Sequence, residues 1–281
     1  MIYTHNVTNN YKLHMVDSTL ESPFTLEEKK QLIQEYQIFV GAPLQGERHI
    51  RLEKIVTDGD CTHIYTSKLD FEDLLANDIV PMHLNAFKSF LVANGTQLSV
   101  RTLDKLDKLR RLRDRISCFQ DIYENNYLSR AIVLSAAVTD GKKCVIAKGN
   151  TNPSTEKIRS GMSVTGVVRF VDALTGAQQF ESVITSKVMH QLFLCTSLSA
   201  VKITSISYDS AKLQPTITAV VSVPEVNKLK SSVFNTLQNV TEFTTGKSKH
   251  AFLSADEIKI LFDECTSTEL CRSQLKELQL L

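Results

Sequence analysis

Acidic residues are scarce in one stretch of this chain. From Gly141 to Tyr208 there are three (Glu156, Asp172 and Glu181) against eight bases (Lys142, Lys143, Lys148, Lys157, Arg159, Arg169, Lys187 and Lys202). Magnesium sites are built from oxygen ligands and usually anchored by carboxylates, so the shortage argues against such a site here. Paired cysteines are missing as well. The six (Cys61, Cys118, Cys144, Cys195, Cys265 and Cys271) are scattered with no CxxC. That excludes the common zinc and dithiol spacings and leaves free, mostly buried thiols in a reducing compartment as the expectation. No run approaches 18 apolar residues, so no membrane span is expected. The opening MIYTHNVTNNYKLHM has neither a secretory nor a transit layout, and the expectation is a soluble, cytoplasmic protein without membrane contact. Neither sign of charge dominates: 32 Lys+Arg face 31 Asp+Glu, a net charge of +1, which gives no general case for nucleic-acid binding.

Motifs that announce chemistry are also absent. His5, His14, His49, His63, His83, His190 and His250 form no HxH or HExxH. Ser160-Gly161-Met162-Ser163 is not a nucleophile elbow. Gly246-Lys247-Ser248 ends like a phosphate-binding loop, but the glycine required at position 241 is Thr241.

What is present is an ordinary core. With 281 residues, 42% of them hydrophobic, the chain can bury one large core or a domain with an N-terminal elaboration. Residues 1–22 suggest an edge strand and a loop. Thr25 and Glu28 have capping-box spacing and predict a helix to about Val40, stopped by Gly41-Ala42-Pro43. His49–Val56 and Thr62–Thr66 flank Asp58-Gly59-Asp60 and predict a hairpin. Leu69–Asp78 reads as a short helix.

Arg101–Arg115 carries seven bases and three acids, with leucines at helical spacing. The interleaved Asp104, Asp107 and Asp114 and the lack of an aromatic within it favour a packed surface helix over a nucleic-acid contact. Ala131–Val138 and Cys144–Ala147 enclose Asp140-Gly141 and predict a second hairpin. Residues 148–162 read as a loop and Val164–Val171 as a strand. Gln178–Leu194 is an amphipathic helix with Phe180, Val183, Ile184, Val188, Leu192 and Phe193 on one face. Strands follow at Ala200–Tyr208 and Thr216–Val223, then helices near Val226–Leu237, after the Ser254/Glu257 capping box, and at Ser267–Leu280.

The order from Asn126 to Glu264 is strand, Asp-Gly turn, strand, polar loop, strand, amphipathic helix, two strands, C-terminal helix. It resembles the Nudix superfamily. Ala131–Ala147 is similar to that superfamily's opening hairpin. His49-Ile50-Arg51-Leu52 and Leu69–Asp78 (LDFEDLLAND) resemble the N-terminal elaboration of the branch that includes UDP-sugar diphosphatases. The resemblance spans about Leu44 to Glu264. It implies an α/β fold, an α/β/α sandwich with a mixed sheet, with an N-terminal α/β extension over residues 1–125 and the Nudix-like domain over 126–281. It also implies a helix bearing a glutamate and then a glutamate pair that hold catalytic magnesium.

The chain departs from the family at that helix. Aligned on the apolar face, Lys187 stands at the first glutamate and His190 and Gln191 at the pair, and Glu181 is the only acid from Ala173 to Ala200. The leading expectation is therefore a degenerate Nudix-like protein with no catalytic residues, metal or cofactor, binding a nucleotide, a nucleotide-sugar or a protein partner. Lys148 and Arg159 are the candidate anion contacts, because they flank the loop beside the expected cleft. A divergent magnesium-dependent hydrolase would draw on Glu181, His190, Asp140, Asp172 or Asp209. A third alternative is a structural subunit that contacts nucleic acid through Arg101–Arg115.

Overall fold

Thr25 and Glu28 satisfy each other's backbone at the start of the first helix. The computed structural model describes residues 2–7, 10–44, 46–151, 158–170, 179–192, 194–209, 214–223, 249–264, 266–267 and 269–279. In it Glu28 N donates to Thr25 Oγ1 at 3.2 Å and Thr25 N to Glu28 Oε2 at 2.7 Å. Helix α1 (Leu26–Val40) ends on Gly41 at φ 68°, a left-handed cap that glycine adopts without steric cost.

Strands β1 (Ile2–Asn6) and β2 (Asn10–Met15) precede it. β3 (His49–Asp58) and β4 (Cys61–Leu69) form the expected hairpin, and β2 lies parallel to β4 in a three-stranded sheet. Helix α2 starts at Phe71–Leu74, widens into a π turn at Leu75–Ile79 and closes at Val80–Met82. It outlasts the sequence expectation, which stopped at Asp78, because Leu74, Leu75, Ala76 and Val80 continue a buried face through the π turn. That turn carries Asn77 and Asp78 to full burial. Helices α3 (Leu84–Ala93), α4 (Val100–Arg113) and α5 (Phe119–Tyr123) follow. α1 to α4 share a core around Leu32, Tyr36, Phe87 and Leu106.

The larger sheet has nine strands among the described residues. β5 (Val133–Thr139) runs parallel to β10 (Pro215–Ser222) and antiparallel to β8 (Val164–Val167). β6 (Lys143–Thr151) pairs with β7 (Ile158–Gly161) and β11 (Lys249–Ser254). β9 (Val201–Asp209) joins β10 to β1, and β12 (Thr266–Ser267) pairs with β7.

The second expected hairpin forms only at its tip. β5 and β6 share the single pair Thr139–Cys144. Beyond it Ser163 stands between the strands: its Oγ accepts from Val138 N at 2.8 Å and donates to Val145 O at 2.5 Å. These backbone groups would have paired in a continued ladder, and the hydroxyl satisfies both. Residues 148–162 are less of a loop than the sequence suggested, since β6 extends to Thr151 and β7 begins at Ile158.

Alternation along β5 sets the layers. Leu134, Ala136 and Val138 pack with Phe180, Val183, Ile184, Val188 and Leu192 of α6 (Gln179–Leu192). On the opposite side Ala137 joins Cys144 and Ile146 against Ile258 and Phe262 of α7 (Ala255–Glu264) and Cys271 and Leu275 of α8 (Glu269–Glu277). The result is an α+β fold with helices on both faces of a mixed sheet. The Ser254/Glu257 box opens α7 as expected, with Ser254 N donating to Glu257 Oε2 at 2.7 Å.

Packing crosses the 125/126 boundary. β1 is the edge strand on β9, and Ile50, Leu52 and Ile64 lie in one cluster with Leu134 and Val145. Isolated bridges tie His49 to Arg169 and Arg51 to Ala131.

Among the described cysteines, all free, Cys144 and Cys271 are buried while Cys118 and Cys195 are exposed. The expectation of mostly buried thiols therefore holds for only part of the set. The helix expected near Val226–Leu237 lies outside the described residues. Among those described, no helix is long and apolar enough to cross a membrane.

Candidate functional site

The apolar stripe of α6 faces the core, which fixes where its polar residues point. Lys187 lies over β8. A β-carbon added to Gly166 would sit 2.9 Å from Lys187 Nζ and 3.4 Å from Cε. Glycine at 166, with φ 159°, thus leaves the space that the lysine head and stem fill. One turn on, Gln191 clamps the same strand: its Nε2 donates to Thr165 O at 2.8 Å and its Oε1 accepts from Thr165 N at 3.4 Å. His190 is exposed. Lys187 and Gln191 therefore converge on Thr165-Gly166, one bringing an ammonium and the other an amide already engaged with backbone.

Glu181 is held elsewhere. Tyr11 of β2, stacked on Phe180 with centroids 5.7 Å apart, donates its hydroxyl to Glu181 Oε2 at 2.5 Å. Burial and then the adjoining Glu181 push the Tyr11 hydroxyl far above its ordinary pKa, so it stays a donor. Nine residues along the helix, about 13.5 Å at 1.5 Å per residue, separate Glu181 from His190. The two are not brought together.

Lys148 and Arg159 come to neighbouring strands. Lys148 pairs with Ser160 and Lys249, while Arg159 pairs with Thr266. Their side chains fall outside what the structure describes, as do those of Asp172, Asp209 and Glu156. Asp140 is engaged in its turn, its Oδ1 accepting from Lys142 N at 2.9 Å and Lys143 N at 2.8 Å. Burial works against its ionisation, but these backbone N–H groups outweigh that and hold its carboxyl below the usual range. Among the described residues no group of three or more His, Cys, Asp or Glu gathers where it could hold a metal ion.

Three of the six bases of α4 are matched within the fold. Lys105 pairs with Glu28 at 2.6 Å, Arg110 with Asp107 at 3.5 Å, and Arg113 with Asp78 at 2.8 Å. Leu106 and Leu109 are buried. These contacts and the two buried leucines pack the helix against the fold.

Sequence reasoning missed a set of buried charges at the junction of the helices and sheets. Arg51 and Arg130 are 0% and 1% exposed. Both reach Glu53, Arg51 Nη1 to Oε1 at 2.8 Å and Arg130 Nη2 to Oε2 at 2.9 Å. Ser67 Oγ donates to Glu53 Oε1 at 2.5 Å. Arg51 also donates to the carbonyls of Leu128 and Asn126, and Arg130 to those of Ile122 and Tyr123. Burial, then repulsion from Arg51, lowers the Arg130 pKa to about 10, so that guanidinium remains charged at neutral pH. Asp78 accepts from Ser129 Oγ and lies against Arg113. The available signal was an arginine flanked by Ile50 and Leu52, and an Asn-Asp pair inside an apolar helix run.

The chain matches no sequence profile of a known family, and no curated protein sequence matches it.

Proposed function

We propose that the chain is a catalytically degenerate Nudix-like protein that binds a nucleotide or nucleotide-sugar, or docks a partner, without hydrolysing a pyrophosphate. The observation that carries this reading is the Lys187 ammonium lodged over Gly166, at the position aligned with the first metal-binding glutamate. At 4 Å and an effective dielectric near 20, like charges repel by about 4 kcal/mol per unit pair. A divalent cation beside this lysine meets that opposition where a glutamate would attract it. The engagement of Gln191 with Thr165 and of Glu181 with Tyr11 supports the same reading. So does the excess of bases from Gly141 to Tyr208, which suits an anionic phosphate.

The test has two arms. A panel of UDP-sugars and dinucleoside diphosphates with magnesium is expected to give no release of phosphate or nucleoside monophosphate. Magnesium-dependent turnover abolished by Glu181→Gln would establish the hydrolase alternative instead. Nucleotides alone are expected to raise the melting temperature, since a native-state ligand at 100 times its Kd adds about 2.7 kcal/mol. Converting Lys187→Glu together with His190→Glu is expected to make the melting temperature rise with manganese, with no such rise expected for the unmodified chain.

A further inference from the structure

We infer that the chain self-associates, with α7 of one copy docking antiparallel into the groove beside α4 of another. The groove measures about 570 Å³. Leu109 and Leu112 of α4 give it an apolar floor, and Pro23 and Tyr127 form the wall opposite the helix. Arg101, Asp104 and Lys108 stand along the α4 side. Neither this surface nor α7 includes a residue of α6 or β8, so the inference goes beyond the nucleotide reading and does not depend on it.

The charges at the groove select the occupant. The ion pairs of α4 engage Lys105, Arg110 and Arg113. Arg101, Asp104 and Lys108 are exposed and hold no ion pair among the described residues. Arg101 and Lys108 are seven residues apart, just under two turns and about 10.5 Å along the axis. They therefore lie on one side of the helix, with Asp104 on their flank. An apolar trough edged by two unmatched cations suits an apolar side chain set between two carboxylates.

Helix α7 presents that pattern. Its inner face, with Ile258 and Phe262, packs on the large sheet. Its outer face exposes Asp256, Lys259, Ile260 and Asp263. The spacing of 256, 259 and 263 repeats that of 101, 104 and 108, and every charge is reversed. The three charged residues hold no ion pair among the described residues. Ile260, 62% exposed, stands between the two aspartates. Packed helices lie about 8–10 Å apart, within reach of such side chains. Turning one helix end for end keeps flanking residues of equal spacing on the same side. Antiparallel docking thus sets Arg101 against Asp263, Lys108 against Asp256 and Asp104 beside Lys259, and turns Ile260 toward the groove. Parallel docking would place Asp104 and Lys259 on opposite flanks.

Sedimentation velocity of the full chain over a concentration series tests the inference. The unmodified chain is expected to associate, and to do so less as salt rises, because the matched charges are exposed. Arg101→Glu with Lys108→Glu is expected to weaken association about tenfold or more, since like charges then face each other. Asp256→Lys with Asp263→Lys is expected to do the same. Mixing the two double variants restores opposite signs at every contact and is expected to recover association. Ile260→Ser is expected to weaken it with the melting temperature unchanged. Melting temperatures show whether each variant is folded, and Arg101→Gln with Lys108→Gln replaces a reversal that is not. A chain that stays monomeric throughout overturns the inference. So does association that survives both reversals, or a mixture that fails to recover it. Oligonucleotide binding lost on reversing Arg101 and Lys108, with self-association intact, would assign the groove to nucleic acid instead.

Discussion

Glu53→Ala is expected to cost about 3–5 kcal/mol of folding stability, the usual result of removing one partner from a buried ion pair. The loss is large because this carboxylate answers two guanidiniums. Arg51 and Arg130 are essentially inaccessible to water, and Glu53 supplies one oxygen to each at 2.8 and 2.9 Å. Without it the arginines keep carbonyl partners, at 3.1–3.4 Å from Ile122, Tyr123, Asn126 and Leu128, but only Arg51 still feels carboxylates, the more distant Asp78 and Glu21. A domain stable by about 5–15 kcal/mol would lose a large share of its margin. Glu53→Gln keeps the shape and is expected to fall between alanine and the native residue. Equilibrium unfolding in urea reads the difference. A loss below about 1 kcal/mol, the level of an exposed pair, would mean that water reaches the arginines.

The second large effect is at Asp78. Asp78→Ala removes the carboxylate facing Arg113 and is also expected to cost about 3–5 kcal/mol. Arg113 is 7% exposed and would retain only the Asp78 backbone carbonyl, at 3.0 Å, of its two contacts with this residue. Asp78 also gives a pH signature. Complete burial raises its pKa above the ordinary 3.8, against the opposing pull of Arg113 and Ser129. The folded state therefore holds this proton more firmly than the unfolded chain does. Its contribution is fully present below pH 3.8 and declines as pH rises toward the folded value. Asp78→Asn abolishes the titration. The stability of the native protein relative to Asp78→Asn is expected to fall as pH rises through that window. A relative stability that climbs instead would show that the arginines outweigh burial.

Local signals were legible where a few neighbouring residues settle the outcome. Thr25 and Glu28 form their reciprocal cap, Asp58-Gly59 turns β3 into β4, and the stripe from Phe180 to Leu192 is the buried face of α6. The candidate site was legible as a pattern of departures, with lysine, histidine and glutamine where glutamates were expected. Its geometry was not. That Tyr11 takes Glu181, and that Gln191 grips Thr165, depends on residues 170 and 26 positions apart in the chain. The β5–β6 pair was overread for the same reason. Ser163, 25 residues beyond Val138, bonds to both strands, and no property of the Asp-Gly turn foretells it.

Periodicity and capping chemistry therefore determined α1, the β3–β4 hairpin and the apolar face of α6, because both act over one or two turns of helix or a few residues of strand. The shortage of carboxylates from Gly141 to Tyr208 determined what α6 cannot offer a cation. Tertiary structure decided which charges meet. Arg130 joins Arg51 and Glu53 of β3, 77 positions from Glu53 along the chain, and Lys187 meets Gly166, and Glu47 meets Arg169, from separate segments. Electrostatic and hydrogen-bond energies depend on separation in space and on exclusion of water, and both exist only once the strands and helices have packed.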